Sequence, residues 1–229
     1  MIRSVAVVVP ARDEQSSIGA CLLGIRAAVC ALPPSVSATV CVVLDRCQDG
    51  TEAIARSMTD VVMNSSDSPL GGVRDIGVRR TLTFPADECW VLNTDADSVV
   101  PPDWITTHLR LAERGAHAVA GDVRLAGWDD RDDDRDESIR ARYRQLVRGN
   151  RERIYGANLG LRGDVYLAVG GFGQLSTGED QHLWDRVGLA GYRAVTTASA
   201  PVMTSSRTRG RARGGLADLL AGLRDQQPV

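Results

Sequence analysis

At 229 residues, 43% hydrophobic and 24% charged, the chain can bury a substantial core as one domain, residues 1–229, and is too apolar to stay disordered. Lys+Arg 27 against Asp+Glu 29 leave a net charge of -2, which excludes a nucleic-acid binder held by phosphate neutralisation. No run approaches the ~18 consecutive apolar residues of a membrane span, and the opening MIRSVAVVVPARDE passes into charge without a small-residue cleavage site, so no transmembrane segment and a cytoplasmic location are expected.

The first half alternates short β-branched runs with amphipathic stretches, the pattern of an α/β protein whose mostly parallel, Rossmann-like sheet carries helices on both faces. Residues 4–9 are continuously apolar after Ser4 and predict a doubly buried strand, ended by Pro10 because proline cannot donate to a central ladder. A helix follows over 16–31 with Ile18, Leu22, Ile25 and Val29 on one stripe, stopped by Pro33 and Pro34. Strands are predicted at 39–44, 60–63 and 89–93, with helices at 51–58 and 71–82 between them. Pro101 and Pro102 open a helix that runs to Glu113, and 118–126 reads as a strand bent at Gly121.

The pattern changes after Trp128. Residues 129–137 (DDRDDDRDE) contain no apolar residue, and 138–153 carry only a thin stripe of Ile139, Tyr143, Leu146 and Val147, as a solvated face or a lid near a substrate would. A strand at 154–161, helices at 163–169 and 179–189, and a strand at 192–196 follow. The Arg- and Gly-rich tail, 201–229, ends in an amphipathic stretch at 216–223. Cys21, Cys30, Cys41, Cys47 and Cys89 form no CxxC pair and read as reduced thiols.

In an open α/β sheet, ligands collect beyond the carboxyl ends of the strands. The turns there carry Pro10-Ala11-Arg12-Asp13-Glu14, Asp45-Arg46, the loop leading to Arg74, and Asp95-Ala96-Asp97, which together describe an acidic rim with one arginine. At the end of an extended strand, Asp95 and Asp97 project to the same side and Ala96 to the other, so both carboxylates can share one hard cation; the pair equally suits a cap on the turn before Pro101.

Five segments in order now resemble the family 2 glycosyltransferases of the GT-A fold, over nearly the whole chain. VVVPARDEQSSI is similar to that family's opening strand and PAxNE turn, VVLDRCQDGT to its VVDDGSTDGT turn, and GGVRDIGVRR to its GxxxARNxGI helix. NTDADS resembles its DxD segment, and GANLGLRGDVYLAVGGF with TGEDQHLWDRV resembles the acceptor segment and ED helix. The resemblance implies a GT-A fold with a nucleotide-binding half at 1–100 and an acceptor half at 101–200. It also implies transfer of a sugar from a nucleotide diphosphate, UDP ahead of GDP, to an acceptor hydroxyl with inversion.

By position, the resemblance gives Pro10, Ala11, Arg12 and Glu14 the wall around base and ribose, and Asp45 a hydrogen bond from the base. Arg74 would approach the nucleotide or its phosphates, or stand as a surface arginine. Within the turn of Asp95, Ala96 and Asp97, Asp95 would orient ribose or donor sugar, and Asp97, with Asp95 beside it, would hold Mg2+ or Mn2+. Asp180 matches the base position, with Glu179 shaping the acceptor site, although the two also suit an N-terminal cap. Gly156 and Asn158 would line the acceptor pocket, with His182 touching acceptor or solvated and Trp184 stacking on a sugar or packed inside.

The departures matter as well. Relatives carry a histidine after the ED helix to complete the metal shell, whereas PVMTSSRTRG has none; Arg207 and Arg209 stand there to close over the diphosphate or to face solvent. A sugar-nucleotide nucleotidyltransferase fits less well, because PARDEQ lacks a Gly-rich loop, and a dehydrogenase is disfavoured by the missing GxGxxG. A non-catalytic nucleotide-sugar binding protein is the remaining alternative.

Overall fold

The computed structural model describes residues 1–126, 142, 154–208, 210 and 216–225. The charged run 129–137, the stripe at 138–153 and Arg209 lie outside the described residues. In chain order the elements are β1 (Ser4–Ala11), α1 (Ile18–Cys30), β2 (Ser37–Asp45), α2 (Thr51–Arg56), β3 (Asp60–Asn64), α3 (Leu70–Thr81), β4 (Cys89–Asn93), β5 (Ser98–Val99), α4 (Trp104–Glu113), β6 (Ala118–Leu125), β7 (Leu159–Arg162), α5 (Gly163–Ala168), α6 (Glu179–Leu189), β8 (Ala194–Thr204) and α7 (Leu216–Asp225). The strands form one sheet in the order β3-β2-β1-β4-β7-β6-β8-β5, parallel from β3 to β4 and antiparallel where β7 joins β4 and β6.

Period-two alternation along β1 feeds both faces. Val5, Val7, Val9 and Ala11 pack with α1 and with Trp104 and Ile105 of α4, while Ala6 and Val8 pack with Val73 and Val78 of α3 and with residues of α5 and α6. Helix α3 lies hard on the sheet: a Cβ on Gly77 would stand 2.4 Å from Val8 Cγ1 and 2.8 Å from Val43 Cγ2. The thiols of Cys21, Cys41 and Cys89 are buried and unpaired, and burial raises the Cys41 pKa to about 11.

The structure corrects three sequence expectations and adds one strand. Strand β1 continues through Pro10 to Ala11. Thr94 N–H donates to the Val8 carbonyl, so Pro10, two residues on, also turns its backbone towards β4, whose pairing has already ended at Asn93; no ladder bond is lost. The strand expected over 154–161 is only β7, because Gly156–Asn158 coil into one 3-10 turn first. The short edge strand β5 had no sequence signal. The strand expected over 192–196 runs from Ala194 to Thr204 as β8.

That last strand crosses a defect. Its parallel register with β6 jumps from Gly121↔Thr197 to Val123↔Val202, and Ala200 sits at φ 53. The carbonyls on both sides of the break, Asp122 O and Ala200 O, accept from Asn158 Nδ2 at 2.9 and 3.3 Å. The same amide's Oδ1 accepts from Trp104 Nε1 at 2.8 Å and faces His108 Nε2 at 3.0 Å. With two donors on its oxygen, Asn158 holds α4, β6 and β8 together at full burial.

His108 is buried as the neutral ring. Burial pulls its pKa down to about 4, against the pull of the Asn158 bond. The unfolded ring titrates near ~6.5, so below that pH the unfolded chain takes up the proton and the folded one does not. Stability is therefore unaffected above ~6.5 and is lost as pH falls from there to about 4, by about 3 kcal/mol in all. Urea denaturation at several pH values, with His108→Gln as reference, measures this; equal pH slopes for the two chains would exclude a neutral buried imidazole.

Candidate active site

Adjacent parallel strands β2, β1 and β4 bring Asp45, Arg12 and the turn carrying Asp95 and Asp97 to one edge of the sheet. The first two turns are laced together by side chains accepting backbone N–H groups. Asp13 accepts from Gln48 at 2.7 Å, Gln15 from Gly50 at 2.8 Å, Thr51 Oγ1 from Glu14 at 2.7 Å and Asp49 from Gln15 at 3.0 Å. Asp13 at φ 52 and Arg46 at φ 53 hold left-handed backbone, one in each turn. The lacing leaves Pro10 and Ala11 buried and Arg12 exposed, its Nη1 3.6 Å from Asp45 Oδ2. Asp45 Oδ1 accepts from Arg46 Nε and from Asn64 Nδ2, both at 3.0 Å.

The centre of the edge is Arg74. Buried positions on α3 include Val73, Arg74, Gly77, Val78 and Thr81, so this arginine occupies the sheet-facing stripe of the helix, at the start of its second turn. Its side chain is 2% exposed; Nη2 donates to Asp95 Oδ1 at 2.7 Å and Nε to Glu179 Oε1 at 3.1 Å. The guanidinium carbon lies 5.9 Å from the Phe172 ring centroid, and Nη1 is buried without a partner among the described residues. Glycine at 156 leaves room for it, since a Cβ there would come within 2.6 Å of Nη2. Burial raises the Glu179 pKa and the Arg74 charge draws it back down.

Helix α6 starts after Gly178 at φ 71 and places Glu179 and Asp180 in its first turn. Both Asp180 oxygens are oriented by backbone donors, Gly156 N–H at 2.8 Å and Gln181 N–H at 2.7 Å. Beyond β4, Asp97 is mostly buried: Thr204 Oγ1 donates to its Oδ1 at 3.4 Å, and Arg207 Nη2 lies 3.1 Å from its Oδ2. Arg207 also grips Glu14 in a fork, with Nη1 donating to Oε2 at 2.7 Å and Nη2 donating to Oε1. Burial, reinforced by Asp95, raises the Asp97 pKa to about 6, and Arg207 opposes the shift. A carboxylate so placed favours a nearby cation, and an oxygen-only set after β4 suits a hard divalent ion. Among the described residues no group of three or more His, Cys, Asp or Glu stands close enough to hold a metal unaided.

Residues 6–166 match the family described as glycosyl transferase family 2. The chain belongs to that family. Solved structures with the same GT-A fold include the mannosyltransferase PcManGT of Pyrobaculum calidifontis, in complex with GDP-Man and Mn2+, at 20% identity and TM-score 0.68, covering 91% of this chain and 58% of that one. TarS 1-349 of S. aureus, in complex with UDP-GlcNAc, matches at 14% identity and TM-score 0.65, covering 100% of this chain and 62% of that one. The chain thus spans about three fifths of the length of either. No curated protein sequence matches it.

Within this family 2 domain, the structure gathers Arg12, Asp45, Arg74, Asp95, Asp97, Glu179 and Asp180 along one edge. Other expected site residues sit elsewhere or are already engaged. Ala96 is buried in the core beside α1, Asn158 has its amide saturated by the sheet defect, and Trp184 packs partly buried against the α3 face. His182 is exposed near Gly173. Arg74 is interior rather than a surface arginine, and Glu14 is 5% exposed in the Arg207 fork rather than an open wall. The Glu14–Arg207 link escaped sequence reading, because the strand expected to end at 196 runs on to Thr204 and so carries Arg207 to the rim.

Replacing Arg74 with Met strands Glu179 as a lone buried carboxylate. We expect a loss of about 3–5 kcal/mol in urea denaturation, part of it restored by adding Glu179→Gln. Additive losses for the double variant would show that the buried pair is not coupled.

Proposed function

We propose that this domain is a metal-dependent, inverting glycosyltransferase that moves a sugar from a nucleotide diphosphate, UDP before GDP, to an acceptor hydroxyl. The observation that supports the reading best is the Arg74 fork. It ties Asp95, on the donor side after β4, to Glu179, the neighbour of the proposed base, so that both halves of a transfer site share one rigid cation. The solved neighbours with GDP-Man and with UDP-GlcNAc agree with a nucleotide-sugar donor in either base.

In this reading Asp45 accepts an N–H of the base, and the exposed Arg12 flanks the nucleotide. The unpartnered Nη1 of Arg74 supplies an N–H to the donor, a charge-assisted bond in a dry site. Asp97, with Asp95 beside it, would hold Mg2+ or Mn2+, which neutralises charge developing on the departing diphosphate. Since few protein ligands are present, phosphate and water oxygens complete the coordination. Asp180 takes the proton of the incoming hydroxyl; the two backbone N–H groups fix its carboxylate while each oxygen keeps a lone pair free. Glu179 shapes the acceptor side from its place on Arg74.

Two substitutions separate the roles. Asp97→Ala removes Mn2+-dependent nucleotide binding by calorimetry together with transfer, and near-normal transfer in EDTA would refute the metal role. Asp180→Asn keeps donor binding and lowers turnover by about 10²–10⁴ over a panel of nucleotide sugars; unchanged turnover moves the base to another residue.

A further inference from the structure

Glu14 and Asp97 come from the turns after two neighbouring parallel strands, and their side chains are only 6% and 14% exposed. Two carboxylates this buried need a positive partner. The chain provides one from the far end of the sequence. Arg207 forks onto Glu14 through both terminal nitrogens, and one of them also reaches Asp97 Oδ2 at 3.1 Å.

The delivery of this arginine is equally specific. Thr204 closes β8 by donating to Asp97 Oδ1 at 3.4 Å and pairing with Ser98 Oγ at 2.8 Å, and Ser205 N–H donates to the Asp97 carbonyl at 3.2 Å. The strand end is thereby pinned to the Asp97 backbone, whereas Arg207 itself lies beyond β8 in irregular chain, its side chain 31% exposed. Its fork can leave the carboxylates without disturbing the sheet.

We propose that Arg207 is a tethered counter-cation standing in for the divalent ion on Asp97, so that binding the ion and releasing Arg207 are one event. The inference rests on the function proposed above. A guanidinium spreads one charge over a plane, whereas a divalent ion concentrates two on a point and takes oxygen ligands more tightly. The ion therefore displaces the arginine when a diphosphate adds further oxygens, and the acidic pair stays compensated when no donor is bound. Metal affinity in the free protein is held down by this internal competitor, in the manner of any population linked to a competing state.

The test is a Mn2+ titration of the whole chain, followed by the loss of the free Mn2+ electron paramagnetic resonance signal, without nucleotide and with added UDP or GDP. Arg207→Gln, which keeps donors but no charge, and Arg207→Ala bind Mn2+ at least tenfold more tightly than the parent, and Asp97→Asn in the Arg207→Gln background abolishes the gain. Near-ultraviolet circular dichroism confirms that each variant is folded, and Arg207→Lys provides a variant that keeps the positive charge and falls between parent and Gln. Equal Mn2+ affinity in parent and variants, or weaker binding in the variants, overturns the competition while leaving the metal-dependent reading intact. Absence of Mn2+ binding in every form, with nucleotide present, overturns both.

Discussion

A guanidinium sealed under protein has to find anions, and Arg74 finds them on residues 21 and 105 positions away along the chain. This single requirement fixes much of the candidate site. It sets Asp95 against α3, draws the start of α6 onto the same helix, and demands a glycine at 156 so that the backbone can pass. The first half of the chain and the second thereby meet at a charge as well as in the apolar core. A salt bridge this buried is weak evidence for stability; what it constrains is Glu179, 5% exposed beside the guanidinium, whereas Asp95 at 36% exposure also faces solvent.

The rim is acidic in sequence, yet most of its carboxylates are matched in space. Asp45 lies between Arg12 and Arg46, Asp95 and Glu179 share Arg74, and Glu14 and Asp97 share Arg207. Asp180 is held differently, by backbone N–H groups. A proton acceptor needs that distinction, since an arginine on its carboxylate would compete with the incoming hydroxyl for the same lone pairs. The contrast between arginine-held and backbone-held carboxylates supports the proposed base, although backbone N–H groups also hold Asp13 and Asp49 in the first two turns.

Much of this is readable in the chain itself, and for physical reasons. Strands β1, β2 and β4 are buried on both faces, so each writes itself as a continuous apolar run, and the acids that follow fall at the carboxyl edge by topology. Strand β8 does not write itself that way: ASAPVMT mixes small residues with a proline, and its continuation depends on an amide from residue 158 that no local pattern announces. Arg74 is polar on an otherwise apolar stripe, which sequence periodicity reads as an exposed position although its partners bury it. Asn158 reads as pocket lining because the GANLG segment resembles an acceptor-side strand, whereas its four hydrogen-bonding directions are all consumed by the sheet and α4. The stretch 129–137 lies outside the described residues, and its reading as a solvated face or lid stands as an expectation.

The break between β6 and β8 sets one residue, Asp122, against the four from Ala198 to Pro201 before pairing resumes at Val202. Because the Asn158 amide donates to both carbonyls there, the extra residues leave the ladder without stranding these acceptors, and the strand resumes in time to set Thr204 against Ser98 at the rim.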